Sequence, residues 1–354
     1  MYGIKEAQGS ATERCDVGEL DEGYERDLRR AAVVAITPPV FGLGVHRLGT
    51  DKRAVVVLVP ASVDGPHLIF KEEHFGAPVR NGADTVWMKE RQIEAAYRAR
   101  FDERRRSNEA LDALYTQAAT GRDSDMRAWL VAVAHPKVSG TRISPDREQA
   151  RAIMKQAEAI TLSYSQKNAV HPLEVVDRAN PRPGLRRWVA PFTRSGESSR
   201  WQEAWAETHR DGSVTLAAVV GGHPKRTGGY NEAWEVESAA IEAAVADFTA
   251  LVRATAEVLG HDEYDVSVGI EWSGGEKLSI LTVDGQGFSF NGVSTPLPAF
   301  IPVQSTIDAN ASEIDFHRQV FELAEDCVNQ GGITYLHVIS PPRVLQDPDA
   351  IGAP

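Results

Sequence analysis

From Val55 to Phe101 the order of apolar and polar positions gives the clearest local plan in the chain. Val55 to Val59 is an aliphatic, β-branched run that stops at Pro60, which predicts a strand. A polar turn follows over Ala61 to Gly65, then extended pieces at Leu68 to Phe70 and Gly76 to Arg80. Arg80, Asn81 and Gly82 fall at a turn. Thr85 is expected to open a helix reaching Arg106, with Trp87, Ile93, Ala96, Tyr97 and Phe101 on one face. Its last residues, Arg104-Arg105-Arg106, then lie where the helix dipole favours cations, by about 0.3–1 kcal/mol each at an exposed site.

Before this stretch, Met1 to Glu6 and Glu13 to Val17 read as two strands turning at Gly9. Leu20 to Ile36 has helical spacing and is stopped by Pro38-Pro39. Leu43 to Leu48 and Arg53 to Val59 form a hairpin about Gly49-Thr50-Asp51. After it, Asn108 to Ala119 reads as a second helix with Gly121 as its C-cap. Trp129 to Ala134 is a buried strand. Ser144-Pro145-Asp146 starts a helix that reaches about Thr161, with Ser144 as N-cap. Asn180 to Gly184 is the best linker, although the boundary has room anywhere from Thr120 to Gly184.

Two hairpins are expected further on. Trp201 to Arg210 meets Ser213 to Val220 about Asp211-Gly212, and Val266 to Trp272 meets Lys277 to Val283 about Ser273 to Glu276. Helices cover Trp234 to Leu259, capped by Asn231 and Gly260, and Glu313 to Asn329. Trp201, Trp205, Trp234 and Trp272 are expected in the core or on a sheet face, with a stacking platform for bases or a ligand as the alternative. The order implies an α+β protein. A mixed α/β domain of nucleic-acid-binding type spans 1–120, and a strand, helix and linker span 121–184. An acidic α+β domain at 185–340 has an antiparallel sheet with helices on one face. A disordered tail occupies 341–354.

Composition narrows the class. At 354 residues the chain has room for two cores. No stretch of eighteen apolar residues is present, so no membrane helix is expected. No secretory signal opens the sequence, and Cys15 and Cys327 are far apart, so reduced thiols and a cytoplasmic location are expected. The net charge of −12 is uneven. Pro66 to Arg106 has nine Lys/Arg against seven Asp/Glu, whereas Glu197 to Asp284 has six against sixteen. That asymmetry suits a binding module joined to a different one, and equally a solvated surface with random charge clustering.

Motif chemistry is sparse. Gly274-Gly275-Glu276-Lys277 lacks the spacing of a phosphate-cradling loop, and no G-x-G-x-x-G or G-x-S-x-G occurs. The ten histidines are scattered. Neither a metal nor a cofactor is expected, and a binding protein is favoured over an enzyme. The candidate phosphate contacts are Arg80, Asn81, Lys71, His67, Lys89 and Arg91, with Arg98 beside them. His74 and Phe75 are placed to stack on an unpaired base. Each has a plain structural alternative. His67 reads equally as a satisfied turn residue, Arg80 as a partner of Asp84, Glu72 or Glu73, and Trp87 with Tyr97 as core. The loop at Arg80 favours function, because neither burial nor periodicity asks for its side chains.

These residues resemble the second half of the Schlafen-type, AlbA-like DNA-binding domain. Met1 to Val17 resembles its paired strands and Ile36 to Pro39 its proline-terminated helix. Val55 to Pro66 resembles its V-x-V-P-x-S…P strand and turn, with Pro60, Ser62 and Pro66 in place. Arg80, Gly82 and Thr85, followed by Met88 to Tyr97, resemble its R-x-G-x-x-T pattern before the last helix. The resemblance covers about residues 1–105 and implies binding of DNA or RNA. Bacterial relatives are described as transcription regulators or ATP-binding proteins, and some relatives cleave transfer RNA through a carboxylate cluster. The family's opening Glu-rich segment is missing ahead of Met1, so a late start or a degenerate copy is expected, and no nuclease role carries over. ATP binding lacks a phosphate loop. The expectation is a nucleic-acid-binding protein that acts in transcription regulation, with a protein partner for the second domain, room for homo-oligomers and no membrane. Two alternatives stand beside it: a protein-interaction module without nucleic-acid binding, and an RNA-processing nuclease if an upstream segment exists.

Overall fold

A computed structural model describes residues 2–7, 10–18, 21–40, 42–59, 61–71, 74–81, 84–138, 145–165, 169–193, 202–225, 227–283, 288–290 and 294–342. Helices and antiparallel sheets together make it α+β, the class the element order implies. The chain divides into two units, Met1–Arg106 and Ser107–Pro354.

The first unit is built from short strands. β1 (Ile4–Ala7) pairs with β2 (Ser10–Arg14). α1 (Glu22–Val34) begins at Asp21, whose carboxylate accepts the Tyr24 N–H at 2.8 Å. β3 (Ile36–Thr37) follows directly, and Pro38-Pro39 prevents the helix from continuing. β4 (Gly44–Leu48) and β5 (Ala54–Leu58) form the expected hairpin. β6 (Leu68–Lys71) lies between β3 and β7 (His74–Gly76). β8 (Pro78–Asn81) and β9 (Asp84–Trp87) make a separate two-stranded ribbon. Among the described residues, the buried apolar set here is small: Ala32, Leu43, Ala54, Val55, Leu68 and Ala77.

The long helix departs from expectation at both ends. Thr85 lies in β9, and α2 runs from Glu90 to Ala119 as one helix. Thr85, Val86 and Trp87 are strand formers, and a ladder partner across Asn81 to Pro78 satisfies their backbone. The Lys89 N–H donates to Gln92 Oε1 at 2.8 Å, which closes the first turn five residues later than expected. Arg104 to Arg106 are therefore mid-helix, so the dipole does not account for them. They pair instead with Asp64, Asp102 and Glu103.

In the second unit a seven-stranded antiparallel sheet surrounds β10 (Trp129–Pro136). α3 (Arg147–Thr161) has Asp146 as its N-cap, with a reciprocal bond to Gln149; Ser144, the expected cap, lies outside the described residues. α4 (Pro172–Val175) is one turn. The expected linker contains β11 (Arg182–Gly184), the edge strand beside β12 (Arg187–Ala190). Pro183 is tolerated there because an edge strand has no second neighbour to donate to. β13 (Ala204–His209) and β14 (Val214–Val219) form the hairpin about Asp211-Gly212, while Trp201 lies outside the described residues.

β15 (Glu235–Glu237) takes the residues expected to start the next helix, so α5 spans Ser238–Leu259. Asn231 does not cap it; its amide donates to Glu237 Oε1 at 3.1 Å. Gly260 closes α5 in the left-handed region, as expected. β16 (Glu263–Glu271) joins the large sheet, but β17 (Ser279–Val283) does not return beside it. Trp272 folds over Gly274 and donates its Nε1–H to Glu276 O at 2.7 Å, which turns the chain away. β17 instead runs parallel to β15 and pairs with β18 (Ser289–Phe290). β19 (Val303–Asp308) edges the large sheet, and α6 covers Glu313–Asn329 as expected. The tail beyond residue 342 lies outside the described residues.

α3, α5 and α6 share one face of the sheet, with α5 buried nearly all round. Leu111, Leu114 and Tyr115 of α2 pack on the opposite face, over Trp129, Val131 and Val133. Both Cys15 and Cys327 are free thiols.

Glu242 of α5 ties the last described segment to this core. Its Oε2 accepts the backbone N–H groups of His337, Val338 and Ile339 at 2.8, 2.6 and 3.2 Å. Burial pushes its carboxyl up to about 7, against the three N–H groups that favour the anion. The fold therefore prefers the protonated acid. The stability this group adds is full below its ordinary value of 4.5 and is lost as the pH rises through about 7. Unfolding free energies measured by denaturant across that window are expected to fall for the native chain relative to Glu242→Gln, by about 3 kcal/mol. A pH-independent difference between the two would contradict it.

Candidate nucleic-acid interface

The candidate interface begins at the β6–β7 ribbon. Its register places Lys71 opposite His74, Phe70 opposite Phe75 and Ile69 opposite Gly76. Phe70 and Phe75 are 67% and 66% exposed. Burying a phenyl side chain is worth about 1.5–3 kcal/mol, so two phenyls left in water on facing strands form an unfilled apolar surface. The ribbon's other end is closed by Trp87. A Cβ at Gly76 would lie 2.9 Å from the Trp87 ring, so only glycine lets the indole lie there.

The β8–β9 ribbon starts from the same place. Ala77 links β7 to β8, Met88 links β9 to α2, and the Met88 N–H donates to Ala77 O at 2.8 Å. Arg80 is exposed opposite Thr85, and its Nη1 donates to Thr85 Oγ1 at 3.1 Å. It forms no ion pair with Asp84; Glu72 and Glu73 lie outside the described residues. Asn81 is exposed at the end of its strand, opposite Asp84. Gly82 lies outside the described residues.

Lys89 and Arg91 are exposed around the start of α2. Neither has a carboxylate partner among the described residues. Cations at a helix N-terminus oppose the dipole, so helix stability does not account for them. Lys71 ends β6, paired in register with His74.

The remaining candidates are held by the fold. His67 is half-buried, with Nδ1 2.8 Å from Pro38 O and Nε2 2.7 Å from Ser62 Oγ. A carbonyl only accepts, so Nδ1 carries the proton and Nε2 accepts from the hydroxyl. Both ring nitrogens of His67 are therefore matched within the turn. Arg98 pairs with Glu94 at 2.6 Å, and Arg100 and Arg104 both hold Asp64. Arg80 and Asn81, on the outer half of the β8–β9 ribbon, and Lys89 and Arg91, past its base, thus remain exposed. Phe70 is the residue that sequence inspection passed over. Its signal was its symmetry with Phe75 about Glu72-Glu73, which appears only if those two residues are read as a hairpin connection.

Charge separates the units. The first has as many Lys/Arg as Asp/Glu, so the net −12 belongs to the second. The second unit also brings together a serine, a histidine and an aspartate. His171 Nδ1 is 2.8 Å from Asp247 Oδ1, and His171 Nε2 is 3.5 Å from Ser165 Oγ. The other Asp247 oxygen accepts the Leu173 N–H at 2.7 Å, and Ser165 Oγ donates to Thr161 O at 2.9 Å. A nucleophilic serine must direct its proton at the base. Here the hydroxyl is turned to a carbonyl, and the array fastens α4 to α5.

No helix among the described residues is long and apolar enough to cross a membrane. Comparisons with protein-family models, with curated proteins and with solved structures returned no match.

Proposed function

We propose that the first unit binds DNA or RNA presenting unpaired bases. The bases stack on Phe70 and Phe75, and Arg80, Lys89 and Arg91 neutralise phosphates. The observation that carries this reading is the facing phenyl pair left in solvent, in a unit that also exposes cations without carboxylate partners. An aromatic platform with exposed cations suits single strands, because every base offers a ring face and every link a charge. The motif resemblance of residues 1–105 to the Schlafen-type domain leads to the same ligand class and to a role in transcription regulation.

A second reading has its own observation. The chain's net −12 repels a polyanion, and two exposed phenyls suit an apolar protein surface equally well. On that reading the unit is a protein-interaction module.

The two separate in a salt series with labelled single-stranded DNA, RNA and duplex. Neutralising three phosphates of a single strand gives a log–log slope of about −2, and Arg80→Ala should reduce its size by about 0.7. Absence of binding at low salt, from protein shown to be folded, would leave the interaction module as the better reading. Phe75→Ala is expected to weaken single-strand binding by about 1–3 kcal/mol at every salt concentration, with little change in the melting temperature. Unchanged affinity in that variant would remove stacking from the mechanism.

A further inference from the structure

The strands of the large sheet present a second surface chemistry. β13 alternates: Ala204, Ala206 and Thr208 face the helical core, and Trp205, Glu207 and His209 point to the other face. The C-terminal half of α2 covers β10 on that face but stops at Ala119. Gly121, with φ of +80°, lets the chain turn back. Arg122 follows, and its Nε donates to Ala118 O at 3.3 Å.

This guanidinium lies between two indoles. Its central carbon is 5.0 Å from the Trp129 ring and 5.3 Å from the Trp205 ring. Burial pulls its pKa down against the opposing charges of Glu207 and Glu203, neither of which lies within ion-pair distance of it. Neighbouring arginines have carboxylates within ion-pair distance, although the Arg187 Nε–H makes no hydrogen bond. Arg127 holds Asp123 and Glu203 at 2.9 and 2.8 Å, and Arg187 is 3.2 Å from Glu207.

A cavity of about 110 Å³ opens beside it, lined by Arg122, Arg187, Trp205, Glu207, His209 and Thr215 among others. Glu207 Oε2 is engaged by Arg187 and by the Thr215 hydroxyl at 3.2 Å. His209 Nε2 is 3.6 Å from the same oxygen and has no hydrogen-bond partner, nor has the Trp205 Nε1. Burial pushes the imidazole down to about 4, so it is neutral near pH 7. The cavity therefore has a half-buried cation with no carboxylate among the described residues in ion-pair contact, while its own carboxylate, Glu207, is held by Arg187 and Thr215. The volume is enough for one compact group.

We propose that this cavity binds a small oxyanion, a phosphate or a carboxylate, on the Arg122 guanidinium. The planar fork of arginine suits two oxygens of one such group, and the flanking indoles hold the fork in place.

The full chain is to be titrated with inorganic phosphate, and separately with acetate, against sodium chloride at matched ionic strength and pH. Tryptophan fluorescence and the melting temperature are followed. A saturable response to phosphate alone identifies a phosphate site, and a response to both identifies a general oxyanion site. Arg122→Gln should abolish the response, whereas Arg80→Ala in the first unit should leave it intact. Arg122→Lys retains the charge without the fork and should bind at least ~10-fold more weakly, which keeps the test valid if the glutamine variant fails to fold. A response no larger than that to chloride, or one that survives in both Arg122 variants, overturns the proposal.

Discussion

The second unit depends on a strand that must be covered on both faces. Every residue of β10 from Trp129 to Ala134 is buried, and β14 and β16 flank it in antiparallel register. An all-apolar strand between two neighbours cannot face water on either side. α5 is recruited to one face and the end of α2 to the other. The alanines of α5 suit this place, because small side chains let α3, α6 and the sheet approach it closely. Where α2 stops, the covered face gives way to polar side chains, and the Arg122 cavity lies at that margin.

Two acids of α5 are buried where backbone N–H groups meet one oxygen of each. Glu242 and Asp247, five residues apart on α5, are 0% and 1% exposed. The first takes three successive N–H groups of residues 337–339, and the second takes His171 and the Leu173 N–H. An unmatched buried carboxylate would cost several kcal/mol, so each partner segment is fixed where it satisfies one. Two segments, α4 and residues 337–339, are thereby tied to α5.

The first unit is governed by the opposite condition. Its strands are short, its buried apolar set is small, and Phe70, Phe75 and Trp87 remain in solvent. Short ribbons have too little second-layer cover to enclose large rings. The same shortage that leaves the rings outside gives the unit a surface on which planar or apolar partners can rest.

Periodicity alone determined much of this protein. The α+β class, the helices over Glu22–Val34, Arg147–Thr161 and Glu313–Asn329, and the Asp211-Gly212 hairpin are all legible from spacing, caps and turn residues, which act within a few positions. The exposed Arg80 and Asn81 were legible for the same reason. Local signals failed where distant partners decided the outcome. Thr85 to Trp87 became a strand because Pro78 to Asn81 paired with it, and Pro183 lies in a strand because β12 was available at the sheet edge. β17 left its expected partner for β15, about forty residues upstream. His67 was matched by Pro38 and Ser62, and Arg122 was isolated between Trp129 and Trp205 by the path of the chain after Gly121. A side chain's availability depends on which groups surround it in space, and only the tertiary structure decided that.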